Sequence, residues 1–204
     1  MGLCMELLIV DCAYIDAVPA ESRADLVETA AFGSDDDIWE ADQPEGWTWP
    51  DAEDGTWYAR YEFRNTLTSY KPHFWAGERW DKMRAFVLPE LRTALDEFSA
   101  PLFWGEYNWE FADPPFIPAV VGRENRWCPQ TMLWLLPEDV TALHHCWARV
   151  EPGLPSLREP FEQHLGELTG RVSDFRSFAA LVTEWGEVVT EAAGRGWGII
   201  SLKC

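Results

Sequence analysis

A chain of 204 residues, 47% apolar and 25% charged, has the make-up of one globular domain long enough to close a single core. Its 35 acidic against 16 basic residues give a formal net charge of −19, which repels a nucleic-acid backbone or an anionic membrane and attracts a cationic protein. No apolar run approaches the roughly 20 residues a bilayer needs, no cationic stretch opens the chain, and Cys4, Cys12, Cys128, Cys146 and Cys204 are odd in number and scattered. That is the pattern of free thiols in a reducing, cytoplasmic setting, without the C-x-x-C spacing that presents two sulfurs to zinc.

Residues 5–14 (MELLIVDCAY) read as a mostly buried strand, apolar and too short for an independent helix. Pro19 or Ser22 then opens a helix, with Asp25 three residues after Ser22 as a capping arrangement and Gly33 as the stop. Residues 34–55 carry nine carboxylates and no basic residue, which predicts a solvated loop that packs Trp39, Trp47 and Trp49 against other parts of the chain while its carboxylates stay outside. Trp57–Phe63 alternates as a strand, with Trp57, Ala59, Tyr61 and Phe63 on its apolar face. From Gly77 to Phe98, Trp80, Met83, Val87, Leu91, Ala94, Leu95 and Phe98 follow helical spacing. Pro89 predicts a kink there, or two helices meeting end to end.

Residues 99–127 form a long aromatic and proline-rich connection, the kind of irregular segment where sites often lie. Thr131–Leu136 reads as a strand, and Pro137 opens a helix striped by Val140, Leu143, Trp147 and Val150. A further helix begins near Pro160. The longest begins at Ser173 or Asp174 and runs through Phe175, Phe178, Leu181, Val182, Trp185, Val188, Val189 and Ala192 to Gly194 and Gly196. Trp197–Leu202 closes as a strand. The expected fold is α+β over residues 1–204: one compact domain with a mixed or antiparallel sheet, including the N- and C-terminal strands, against about five helices.

LLPEDVTALHHCWARV, LREPFEQHL, the helix DFRSFAALVTEWGEVVTEAAGRG and the strand WGIISL, within residues 131–202, resemble the C-terminal part of small uncharacterised bacterial proteins of the YfbM type. The resemblance implies an α+β fold whose terminal strand joins the sheet. It implies neither an activity nor catalytic residues.

Nucleophile elbows and phosphate-binding glycine loops are missing from the sequence, and no cofactor is expected. Gly194, Gly196 and Gly198 follow a helix and precede a strand, the reverse of a dinucleotide loop. His144, His145 and Cys146 are consecutive, so a helix points them about 100° apart and they cannot share one metal ion. His73, flanked by aromatics, is a candidate neutral acid or base. Glu106 among Trp104 and Trp109 is a candidate general acid, because burial against indoles raises a carboxylate's pKa. Trp75, Trp104, Tyr107, Trp109 and Asp113 are the corresponding ligand-binding candidates.

The leading functional expectation is a non-catalytic binding protein of immunity or inhibitor type. Its acidic face, including Asp35, Asp36, Asp37 and Glu40, would cover a cationic partner. The alternative is a small-molecule enzyme or resistance protein with an aromatic pocket around His73 and Glu106. Mimicry of nucleic acid by carboxylates ranks third, since the acidic cluster is confined largely to one loop.

Overall fold

The computed structural model describes residues 4–33, 45–50, 56–103, 131–164 and 172–203. Among these, five strands form one antiparallel sheet: β1 (Met5–Val10), β2 (Gly46–Thr48), β3 (Tyr58–Glu62), β4 (Thr131–Leu135) and β5 (Gly198–Lys203), in the order β2-β3-β1-β5-β4. The terminal strands therefore lie side by side near the middle of the sheet, paired from Met5 with Lys203 to Val10 with Gly198. Among the described residues five helices have ten residues or more: α2 (Arg23–Phe32), α3 (Lys71–Met83), α4 (Pro89–Phe103), α5 (Pro137–Val150) and α7 (Phe175–Arg195). Two have six, α1 (Cys12–Ala17) and α6 (Arg158–Gln163). The expected single α+β domain is what the structure shows, and its sheet is antiparallel throughout.

Because successive strand residues point to opposite faces, β1 feeds two cores. Leu7 and Ile9 pack with Ala59 and Tyr61 of β3 and with the apolar stripes of α3, α4, α5 and α7. Leu8 and Val10 face the other way, against Ile15 of α1 and Val27, Ala30 and Ala31 of α2. Covering on both sides explains why β1 is a nearly continuous apolar run. Burying each large side chain such as Phe98 or Phe178 contributes roughly 1.5–3 kcal/mol. Trp80, Trp147 and Trp185, expected in the core from their helical spacing, are buried.

Several boundaries differ from expectation. The first strand ends at Val10, because the Asp11 carboxylate accepts from the backbone N–H groups of Ala13 and Tyr14 (2.9 and 3.2 Å) and starts α1. Ser22 precedes α2 but its side chain makes no capping bond; a 3₁₀ turn over Ala20–Ser22 leads in instead. The acidic segment contains β2, which pairs Trp47 with Tyr61. Around Pro89 two helices do meet, with Pro89 the first residue of α4. Asp174 is the cap of α7, accepting from Ser177 N–H at 2.7 Å, and Gly196 ends it in the left-handed conformation (φ 68°) that glycine adopts without strain.

Close approaches fix how these layers meet. A Cβ at Gly186 of α7 would lie 2.2 Å from the Trp147 indole of α5, so the glycine is what lets these helices touch. Between α3 and α4, Asp96 accepts from Trp80 Nε1 (2.8 Å) and Arg84 Nε (2.9 Å), and Arg84 Nη2 completes a bidentate pair. Cys4, Cys12 and Cys146 are free thiols, while Cys128 and Cys204 lie outside the described residues. Among the described residues no helix is long and apolar enough to cross a membrane.

Candidate functional site

The most unusual local structure follows β3. In the turn Arg64–Thr68, Asn65, Leu67 and Thr68 have φ of 60°, 53° and 55°, a region that costs a side chain with Cβ free energy and is least natural for branched Thr68. Tertiary bonds impose it. Glu62 of β3 accepts from Thr68 N–H (2.9 Å) and the Thr66 hydroxyl (3.3 Å). Glu45, just before β2, accepts from Asn65 N–H (2.8 Å). Glu184 of α7 accepts from Arg64 N–H (3.3 Å) and pairs with the Arg64 guanidinium at 3.3 Å. Thr68 O accepts in turn from Met5 N–H (2.7 Å), fastening the turn to β1.

Three carboxylates from three parts of the chain thus hold one strained turn, whose Leu67 side chain is 76% exposed at the tip. Glu184 and Glu62 are perturbed. Glu184 is buried, and desolvation, reinforced by Glu187 and Glu45, pushes its pKa up to about 7 against the lowering pull of Arg64. Glu62 is raised chiefly by burial, with Glu45 adding to the shift. Glu6, opposite Glu62 on β1, is raised to about 7 by burial and then by Glu62, with Arg60 opposing. Beside them the Tyr61 hydroxyl donates to Glu187 at 3.0 Å; burial and both glutamates raise its pKa.

An aromatic row runs through the same region. Trp49, Trp47, Tyr61, Phe63 and Trp185 touch in succession, with centroid separations of 5.5, 4.8, 5.1 and 4.8 Å. At its outer end the Arg195 guanidinium lies 4.2 Å from the Trp49 ring and 5.1 Å from the Trp197 ring, a cation–π contact supplied by the chain itself. At its inner end His73 packs edge-to-face on Phe63 at 4.7 Å.

His73 is fully buried on α3. Its Nδ1 accepts from Trp185 Nε1 at 3.0 Å, which assigns the proton of the neutral ring to Nε2. Among the described residues that Nε2 has no hydrogen-bond partner. Burial lowers the His73 pKa to about 3, so the ring is neutral at physiological pH and far from the pKa near 7 that suits an acid or base there. Trp75, two residues on and so about 200° around the helix, is partly buried against the large core. Trp104, Glu106, Tyr107, Trp109 and Asp113 lie outside the described residues, as do Asp35, Asp36, Asp37 and Glu40. His144 and His145 of α5 stand 6.2 Å apart; His164 is half-buried and stacks on Phe86 at 3.5 Å. Among the described residues no three His, Cys, Asp or Glu side chains are placed to hold a metal ion.

Glu45, Glu62, Glu184 and the turn itself were not among the sequence candidates. Glu184 had a readable signal: it falls three residues after Leu181 and four before Val188, a carboxylate on an apolar stripe. The left-handed turn had only a weak one: in RNTLT, Asn65 is of a residue type enriched in that region, while Leu67 and Thr68 are not. No family model matches the chain, no curated protein matches it, and no solved structure matches it.

Proposed function

We propose that the chain is a non-catalytic binding protein of immunity or inhibitor type that engages a cationic protein, with the Arg64–Thr68 turn as part of its contact surface. The observation that carries this reading is the turn: an exposed leucine on a backbone in the left-handed region, whose N–H groups are held by Glu45, Glu62 and Glu184. Maintaining such a conformation has a free-energy cost that recognition can justify, and an exposed apolar tip on a turn that the exposed Glu45 holds at Asn65 suits a cationic surface with an apolar recess. The net charge of −19 would speed that association and make it salt-dependent. Glu45, the described end of the acidic segment, joins that segment to the turn through Asn65.

Immobilised protein is expected to retain partners at low ionic strength and release them as salt rises. Leu67→Asp should abolish retention, and Leu88→Asp, at another exposed leucine, should preserve it. Retention indifferent to both salt and Leu67→Asp would sink the reading. A small-molecule site at His73 is the second reading, supported by the buried Nε2–H without a partner among the described residues. A ligand there would alter the emission of Trp185, whose indole N–H bonds His73, and His73→Phe would remove the response.

A further inference from the structure

We propose that Trp49 and Trp197 form a receptor for an arginine side chain of a cationic protein, in which Arg195 is the resident occupant that the incoming arginine displaces. The seat is built from three parts of the chain. Trp49 lies immediately after β2 and Trp197 immediately before β5, and their rings stand 6.4 Å apart at an interplanar angle of 47°, an open V. The Arg195 guanidinium lies over both rings, 4.2 Å from the Trp49 centroid and 5.1 Å from that of Trp197. Its Nε donates to Glu191, one turn earlier on α7, at 2.6 Å. Two indole faces and one carboxylate suit a guanidinium: the ring quadrupoles attract the cation, and the carboxylate accepts its N–H groups. A lysine ammonium, more strongly hydrated and without a plane to lay on the rings, is the weaker ligand.

The walls are fixed independently of their occupant. Trp197 N–H donates to Ala192 O (2.9 Å) across the left-handed Gly196, and its ring is buried with the large core. Trp49 stacks on Trp47, which packs in turn on Tyr61 of β3. The occupant is held less firmly. The side chains of Arg195 and Glu191 are 40% and 37% exposed, and Trp49 is 36% exposed. An exposed i,i+4 ion pair and an exposed cation–π contact are each weak, so Arg195 leaves at small cost. Out in solvent, its charge still lies at the C-terminus of α7, where the helix dipole favours a cation.

The incoming arginine takes over Glu191, and the net charge of −19 draws it in. Strand β2 connects this seat to the turn: Glu45 before it holds Asn65, and Trp49 after it closes the V. The seat belongs to the unbound chain; only its use in capture rests on the binding reading above.

The indole N–H resonances of Trp49 and Trp197 in isotope-labelled protein read its occupancy. Arg195→Ala should shift both, and titrating N-acetylarginine amide into that variant should shift them again, saturably. The neutral isostere N-acetylcitrulline amide should leave them unmoved, and adding Trp49→Ala to Arg195→Ala should abolish the response at Trp197. In the wild type the same probe should bind about five- to tenfold more weakly, because contacts of that strength keep the seat filled in most molecules. Absence of a saturable shift in Arg195→Ala, an equal response to the citrulline probe, or equal affinity in wild type and variant overturns the proposal. Free arginine binding more tightly than the blocked probe would make this a small-molecule seat and overturns it as well. Should Arg195→Ala fold poorly, Arg195→Gln, which keeps part of the stem and removes the charge, replaces it with the same outcomes. Probe binding with partner retention lost refutes the binding reading alone; retention without probe binding refutes the arginine seat alone.

Discussion

Gly186→Ala separates two opposing effects on one atom. Gly186 lies inside α7, where alanine is favoured over glycine by roughly 0.8–1 kcal/mol through backbone entropy. Its added Cβ, however, would sit 2.2, 2.4 and 2.6 Å from Cε2, Cζ2 and Cδ2 of Trp147, where carbon atoms normally rest at about 3.5–4 Å. The indole is a rigid plane buried beside Phe98, so it escapes only by moving more than an ångström. Overpacking of this kind typically costs about 1–3 kcal/mol, and a clash with a flat ring belongs at the upper end. The net expectation is a loss of about 1–2 kcal/mol, or about 2–8 °C in Tm for a chain of this size. Thermal and urea unfolding read it directly. In a Trp147→Leu background the clash is gone and the same substitution should become neutral or stabilising, a coupling that a double-mutant cycle isolates. A Gly186→Ala protein with raised Tm would refute the claim that helix approach governs this position.

Asp96→Ala removes the acceptor for Trp80 Nε1 and Arg84 and should cost about 2–3 kcal/mol, since bonds to charged groups and stranded buried donors both exceed the ordinary hydrogen bond; a change under about 0.5 kcal/mol by denaturant titration would mean the α3–α4 contact is held by packing alone. Stability should peak in mildly acidic solution. Glu6 and Glu184 have folded pKa values raised to about 7 from 4.5, so each adds stability as pH falls from about 7 to 4.5, while His73, lowered to about 3 from 6.5, subtracts it below 6.5. Two groups outweigh one in that window, and falling net charge relieves self-repulsion. Tm measured from pH 4 to 8 should be highest near pH 5, and a steady decline from pH 8 to pH 5 contradicts this balance.

Much of the architecture was legible because local pattern and tertiary structure agree. Ala59, Tyr61 and Phe63 alternate as predicted, though Trp57, expected on the same face, lies before the strand and packs with the second core; the α7 stripe, its Asp174 cap and its Gly196 stop all lie within one contiguous stretch. Where they differ, the deciding contact is distant or is a single side chain. The apolar Cys12, Ala13 and Tyr14 read as more strand, yet Asp11 turns the chain into α1. Strand β2 is three residues long and exists through pairing with β3. The site was less legible for the same reason. His73 stood out by its aromatic neighbours, but the turn depends on Glu45 and Glu184, 20 and 120 residues away from the backbone groups they hold.

The pairing of β1 with β5 also sets the order of events during synthesis. A ribosome delivers residues 5–10 first, and their central partner on the sheet, residues 198–203, only after nearly two hundred further residues. Until then β1 has β3 on one side and a bare hydrogen-bonding edge on the other, with both faces apolar. Such an edge is sticky, and closing so long a loop is slow. The nascent chain is therefore expected to depend on holdase chaperones until β5 emerges, and the domain to become protease-resistant only after translation has passed residue 203.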